Sequence, residues 1–251
     1  MKRPRASLRY LLLQVRNAGD PMRRQEVECF ARALQCDRDR IEVIDLMGRE
    51  FASAAGSQRL RHADVVLLGG SGDYSVPEGG DWLEPALDAM RGLHARRQPT
   101  FATCWGFQAL ARALGGEVVA DPAGAEIGTL EVRLTEAGKI DRVFGPLADT
   151  GVTFAAHIGH QDVVSRLPAD AVLLAETDCA PHAYTFDGLP IYCTQFHPEL
   201  NRATLLERVR HYPHYVENIT GLTIDDFAAQ RTREAPHAEA LIARFVDQVF
   251  G

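Results

Sequence analysis

No C-x-x-C pair occurs among the five cysteines of this 251-residue chain, which stand at positions 29, 36, 104, 179 and 193. The odd number and the spacing argue against a disulfide framework or a zinc cluster, and fit a reducing cytoplasm. No apolar run approaches the ~18 residues of a membrane-spanning helix. The opening MKRPRASLRYLLLQV is basic, but its apolar stretch is short and no small-residue cleavage site follows. It reads as a tail entering a first strand, not as a signal peptide. Basic residues are not in excess, since 27 Lys and Arg against 34 Asp and Glu leave a net charge of −7. That balance offers no footprint for nucleic acid or for an anionic membrane surface. Linkers, repeats and low-complexity stretches are also missing. What remains is ordinary globular material, 46% apolar and 24% charged. A chain of this length buries roughly 70–75% of its unfolded surface and needs no staple.

Strand-like and helical patterns alternate through the first half. Leu8–Val15, Ile41–Leu46, Asp64–Leu68 and Thr100–Thr103 read as strands. Asp20-Pro21 predicts a helix start, and Val27, Phe30, Ala31 and Leu34 line one helical face. Asp81 with Glu84 predicts a capping box opening a helix buried through Leu83, Ala86, Leu87 and Met90. A further helix is expected over Phe107–Leu114, stopped by Gly115-Gly116. Near-continuous apolar strands between helices imply a mostly parallel sheet covered on both faces. Additional strands follow late, at Leu130–Leu134, Val152–Ala156, Ala171–Ala175, His182–Phe186 and Ile191–Gln195, before helices at Arg202–Arg210 and Ala238–Val249. A single α/β domain over residues 1–251 is expected, with a core of about 8–210 and a helical C-terminal extension over 211–251.

In Phe101-Ala102-Thr103-Cys104-Trp105-Gly106-Phe107-Gln108 a strand runs into a cysteine, a glycine and then a helix. This is the setting of a nucleophile elbow. The helix N-terminus favours thiolate, and the next backbone N–H can face a developing oxyanion. Cys29 and Cys193 sit within apolar patterns and Cys36 and Cys179 in turns, so these four are read as structural. A thiol near pKa ~8.5 needs a base. Gln195-Phe196-His197-Pro198-Glu199 follows a strand, and its His and Glu, two residues apart, point the same way in extended chain. Glu199 can then fix the imidazole tautomer while His197 takes the cysteine proton.

TCWGFQALA, followed by QFHPE with its histidine 93 residues after the cysteine, resembles the class I glutamine amidotransferase domain, especially that of GMP synthase and its stand-alone relatives. Leu68-Gly69-Gly70-Ser71 matches the family's glycine loop, Glu126-Ile127-Gly128 an E-x-G segment, and His160-Gln161-Asp162-Val163-Val164 an H-x-D-x-V segment. The resemblance spans roughly Leu8 to Arg210 and implies a flavodoxin-like α/β fold. It further implies Cys104 as nucleophile, His197 as base, Glu199 as its orienter, and Gly70 and Trp105 as oxyanion donors. Gln108 and Gly69 would bind substrate. Two positions depart from the family pattern: Ala102 replaces a glycine of the elbow, and Ser71 replaces the proline of the glycine loop.

The glycine run 69–72 lacks the GK[ST] of a phosphate loop and does not open a first βα turn. His157 and His160 have metal-like spacing but no third ligand nearby in sequence, so no metal and no cofactor is expected. The Arg96-Arg97 pair reads as a solvated helix end. The resemblance implies a glutaminase that releases ammonia from L-glutamine through a γ-glutamyl thioester, for a separate synthetase subunit. A stand-alone γ-glutamyl hydrolase or peptidase with the same triad, and a non-catalytic regulatory homologue, are the alternatives. No nucleic acid or membrane partner is expected, and the expected location is cytoplasmic.

Overall fold

A computed structural model describes residues 3–48, 51 and 53–251. The first two residues of the basic tail lie outside the described residues. Five parallel strands form one half of a nine-stranded sheet: β1 (Tyr10–Gln14), β2 (Ile41–Asp45), β3 (Val65–Leu68), β4 (Thr100–Thr103) and the last strand, β11 (Ile191–Thr194). Between β4 and β11 in sequence lie β5 (Glu117–Ala120), β6 (Glu126–Leu134), β7 (Thr153–His160), β8 (Asp162–Arg166), β9 (Ala171–Glu176) and β10 (Pro181–Phe186). The sheet order is β2-β1-β3-β4-β11-β10-β9-β6-β7, and β5 pairs with β8 apart from it. Every pairing from β11 outward to β7 is antiparallel, so four of the five expected late strands build the second half of one sheet, and the fifth, β11, closes the parallel half.

Alternation along the strands divides the core. Tyr10 and Leu12 of β1 face one side, where they meet Phe30 and Leu34 of α1 (Met22–Leu34) and Leu241, Phe245 and Val246 near the C-terminus. Leu11 and Leu13 face the other, against α3 (Leu83–Ala95) and α4 (Trp105–Ala113). A parallel strand covered on both faces has no polar side, hence the unbroken YLLL run. The polar helix α2 (Ala54–His62) covers this second face through Leu60. After β6 comes the short α5 (Glu136–Ile140). A third cluster joins α6 (Arg202–His211), α7 (Pro213–Thr220) and α8 (Ile224–Gln230) through Leu205, Val216 and Phe227. The helix expected over Ala238–Val249 is two, α9 (Pro236–Glu239) and α10 (Leu241–Phe250).

The capping box expected at Asp81 does not form. Trp82 precedes α3 and no side chain caps it. Trp82 instead packs on Trp105 and Tyr74, with ring centroids 5.6 and 5.7 Å away, and the chain reaches it through Gly80 at φ 133°. At α1 the expected signal holds in substance: Asp20 Oδ1 accepts the Met22 N–H at 2.8 Å, with Pro21 between them.

Because the five parallel strands share one direction, the loops leaving β1, β3, β4 and β11 all emerge at one edge, which in open α/β sheets is where ligands bind. α4 lies close over β3. A Cβ on Gly106 would stand 2.5 Å from Leu68 Cβ and 3.2 Å from the Leu68 carbonyl, neither of which can move freely. Gly106→Ala is therefore expected to destabilise the protein by about 1–3 kcal/mol in chemical denaturation.

Candidate active site

Four loops at the C-terminal edge of the parallel strands converge on a cavity of roughly 430 Å³. Cys104 stands at the junction of β4 and α4 with φ 51° and ψ −106°. This left-handed conformation is costly for a residue with a Cβ. It is held by hydrogen bonds on either side, Cys104 N–H to the Thr194 carbonyl at 2.8 Å and Gly106 N–H to the Gly69 carbonyl at 3.1 Å. The Cys104 thiol is half-buried and lies 3.7 Å from the Gly159 carbonyl. Trp105 opens α4, where the first N–H groups of a helix have no partner inside it. The other four thiols are all raised above the ordinary value, by burial first, to about 11 for Cys29 and Cys36 and about 12 for Cys193. That accords with their structural reading.

His197 and Glu199 follow β11, both buried. His197 Nδ1 lies 2.7 Å from Glu199 Oε1, and His197 and Cys104 line the same cavity. Burial opposes a charged imidazole here, but the Glu199 carboxylate and Cys104 outweigh it and raise His197 to about 9. Burial likewise opposes the Glu199 anion, yet His197 and then Arg208 lower it to about 2. Arg208, on α6, reaches Glu199 Oε1 at 3.5 Å and Gln25 Oε1 at 3.1 Å. The His197 N–H is bonded to the His157 carbonyl at 2.8 Å, which ties His197 to β7. His157 itself is neutral, lowered to about 4 by burial and then by His197.

Gly70 lies against both groups. A Cβ there would be 3.2 Å from His197 Cε1 and 3.8 Å from Cys104 Cβ. Its N–H, however, is bonded to Glu26 Oε1 at 3.1 Å. Glu26 comes from α1, is fully buried, and is held by Gln14 and by Arg16. Its carboxylate fills the space beside Gly69, where a Cβ would stand 2.2 Å from Oε1. Gly69 therefore does not line the cavity. It serves the loop through the room it leaves for Glu26 and through its carbonyl, which takes the Gly106 N–H. Ser71, in the place of the family's proline, donates its hydroxyl to the Tyr74 carbonyl at 2.5 Å. Gln108 does line the cavity, with its amide N–H groups on the Asp162 carbonyl and Gln195 Oε1, each at 3.0 Å.

Sequence reasoning did not single out Arg16, Glu26, Tyr212 or Tyr215. Tyr212 hydrogen-bonds Arg16 and Asp20, and Tyr215 hydrogen-bonds the Gly72 carbonyl, so α6 and α7 roof the glycine loop. His157 and His160 are three residues apart on β7 and point to opposite faces of the strand, so they do not form a pair.

Residues 38–207 match the glutamine amidotransferase class-I family. The chain belongs to that family. It is 31% identical over 184 residues to a GMP synthase [glutamine-hydrolyzing] of Aeromonas hydrophila, a match covering 68% of this chain and 33% of that protein. It thus spans about a third of the length of the GMP synthases it matches. A glutamine amidotransferase-like protein of Penicillium rubens is 32% identical over 180 residues, 69% of this chain and 70% of the relative. Gamma-glutamyl peptidase 3 of Arabidopsis thaliana is 28% identical over 130 residues, covering 51% and 52%. The fold is shared with a crystal structure of a glutamine amidotransferase from Thermotoga maritima, with a TM-score of 0.72 over 97% of this chain and 98% of that one at 18% identity. Among the described residues of this class I amidotransferase chain, no helix is long and apolar enough to cross a membrane.

Two outcomes follow from this geometry. Cys104→Gly should unfold later than Cys104→Ala by about 1 kcal/mol, because glycine relieves the left-handed φ while losing some backbone entropy. The His197 share of the ion pair's stability is complete below its ordinary 6.5 and lost as pH rises through about 9. The Glu199 share is complete above its ordinary 4.5 and lost as pH falls through about 2. The destabilisation by Glu199→Gln, read from denaturation at a series of pH values, is thus greatest between 4.5 and 6.5 and shrinks above 9.

Proposed function

We propose that this chain is a glutaminase of the amidotransferase type, in which Cys104, His197 and Glu199 carry the reaction. The observation that carries the reading is a single cavity holding Cys104 on its strained turn and His197 with Nδ1 tied to Glu199 at 2.7 Å. With Nδ1 so engaged, Nε2 is the nitrogen left to take the thiol proton. The thiolate attacks the γ-amide carbon, and the oxyanion faces the unpaired N–H at the start of α4, that of Trp105. Gly70 adds its N–H once its peptide turns from Glu26. His197 returns the proton to the leaving ammonia, and water then cleaves the γ-glutamyl thioester with the same base. Glutamine and water become glutamate and ammonia, and the ammonia passes to a separate acceptor enzyme, in line with the resemblance to glutamine-hydrolysing GMP synthases. A free thiol nucleophile suits a reducing cytoplasm.

A second reading, a γ-glutamyl hydrolase or peptidase, is favoured by one feature. The cavity runs beyond the thiol to Tyr215 and Asn218 of α7, which leaves room past the γ-carbonyl. Similarity to a gamma-glutamyl peptidase points the same way.

Incubation with 6-diazo-5-oxo-norleucine, a glutamine-shaped electrophile, should add one mass adduct to the wild type and none to Cys104→Ala. His197→Asn should lose about 10²–10⁴ of the glutaminase rate. An adduct that persists without Cys104, or an unchanged rate in His197→Asn, overturns the triad. A higher kcat/KM for γ-glutamyl dipeptides than for glutamine selects the peptidase reading.

A further inference from the structure

Behind the cavity wall, three side chains from three strands end at one point. Glu126 opens β6, His160 closes β7, and His182 is the second residue of β10. His160 Nε2 lies 3.3 Å and His182 Nε2 2.8 Å from the same oxygen, Glu126 Oε2, and the three donor atoms all lie within 4.8 Å of one another. Both rings are buried and the carboxylate is nearly so.

The hydrogen bonds around the cluster turn Nε2 of both rings onto one carboxylate oxygen. His160 Nδ1 faces the Asp162 carbonyl at 3.1 Å. A carbonyl oxygen only accepts, so Nδ1 carries a proton, and Nε2 is the nitrogen turned toward the carboxylate and placed to ligate. Thr177 Oγ1 takes the N–H groups of Cys179 and Ala180 and gives its own proton to Glu126 Oε2 at 3.1 Å. His182 Nδ1 has no hydrogen-bond partner among the described residues.

We propose that Glu126, His160 and His182 form a binding site for a divalent transition metal, zinc first. Two imidazoles and one carboxylate are a donor set that zinc accepts. With bonds of ~2.0–2.2 Å, tetrahedral zinc holds its donor atoms roughly 3.3–3.5 Å apart. The His160–Glu126 separation already meets that spacing, and His182 has to open by about half an ångström. The bond from His160 Nδ1 to a backbone carbonyl is the outer-shell contact that metal-ligating histidines make, and it fixes the tautomer that ligation requires. The ion would pin the end of β7, where the Gly159 carbonyl meets the Cys104 thiol and His160 lines the cavity. It takes no part in the proposed glutaminase steps.

The test uses the full chain carrying Cys104→Ala, so that the active-site thiol cannot bind the ion. Zinc is titrated into chelator-stripped protein against a chromophoric chelator, with the melting temperature followed in parallel. One equivalent should bind and raise the melting temperature. Glu126→Gln and His182→Phe should each weaken binding by roughly 100-fold or more, beyond the 10–100-fold cost of a lost outer-shell contact. X-ray absorption of the zinc-loaded parent should show two imidazole nitrogens and no sulfur, which keeps the test decisive if either variant fails to fold. No bound zinc in the parent overturns the proposal. Unchanged affinity in both variants, or a sulfur ligand at the zinc, overturns it equally.

Discussion

A cysteine forced to φ 51° between β4 and α4 sets where every other group of the cavity stands. Such a conformation costs on the order of 1–3 kcal/mol and persists only where its surroundings leave no alternative. Here the surroundings are two strands. β11 takes the cysteine N–H through Thr194, β3 takes the next turn's N–H through Gly69, and β3 also presses Leu68 against Gly106. Once these contacts are made, the exits of β3 and β11 are within van der Waals reach of the thiol. Gly70 and His197 then flank it with little freedom.

Around that turn the protein buries an unusual amount of charge. Glu26 and Arg16 pair behind the glycine loop, and His197, Glu199 and Arg208 pair behind the thiol. Buried ion pairs seldom add net stability, because desolvation offsets most of the Coulomb attraction. Their contribution here is positional. Glu199 fixes the imidazole tautomer, and Glu26 occupies the room that a side chain at 69 would need while holding the Gly70 N–H. The two carboxylates approach from opposite sides, one from the exit of β11 and one from α1, and each reaches the cavity only through the atom it bonds.

The residues of the proposed triad could be picked out because they lie in local motifs. Cys104 declares itself by a strand, a cysteine, a glycine and a helix in succession, and His197 and Glu199 lie two residues apart behind a strand. The parallel strands were legible for a similar reason, since burial on both faces leaves runs such as Leu11–Leu13 without polar interruption. Glu26 was not. It sits among polar residues on an amphipathic helix, and nothing in the spacing tells that it faces a loop 44 residues away. The segment after residue 211 was hardest to read, because α7, α8 and α9 are short and their function is set by what they touch. Tyr215 matters through the Gly72 carbonyl, a contact that spans 143 residues. α2 was missed for a plainer reason, as Ala54–His62 carries no apolar stripe beyond Leu60.

The antiparallel half of the sheet contributes by register, a property no single segment contains. β6 pairs with β7 so that Glu126 stands opposite His160 and Thr129 opposite His157. Because side chains alternate, a slip of one residue in either strand would turn its two side chains away from their partners. Near its start β6 leaves its neighbour β9, with which it pairs only at Arg133 and Leu134. Gly128 permits the departure at φ 124°, where a Cβ would stand 2.7 Å from the Arg231 carbonyl. The gap so opened admits Thr177 and His182 to the Glu126 carboxylate, while the backbone of β7 carries Gly159 to the Cys104 thiol and the His157 carbonyl to the His197 N–H. The wall of the cavity and the histidine cluster behind it are thus two faces of one strand pairing.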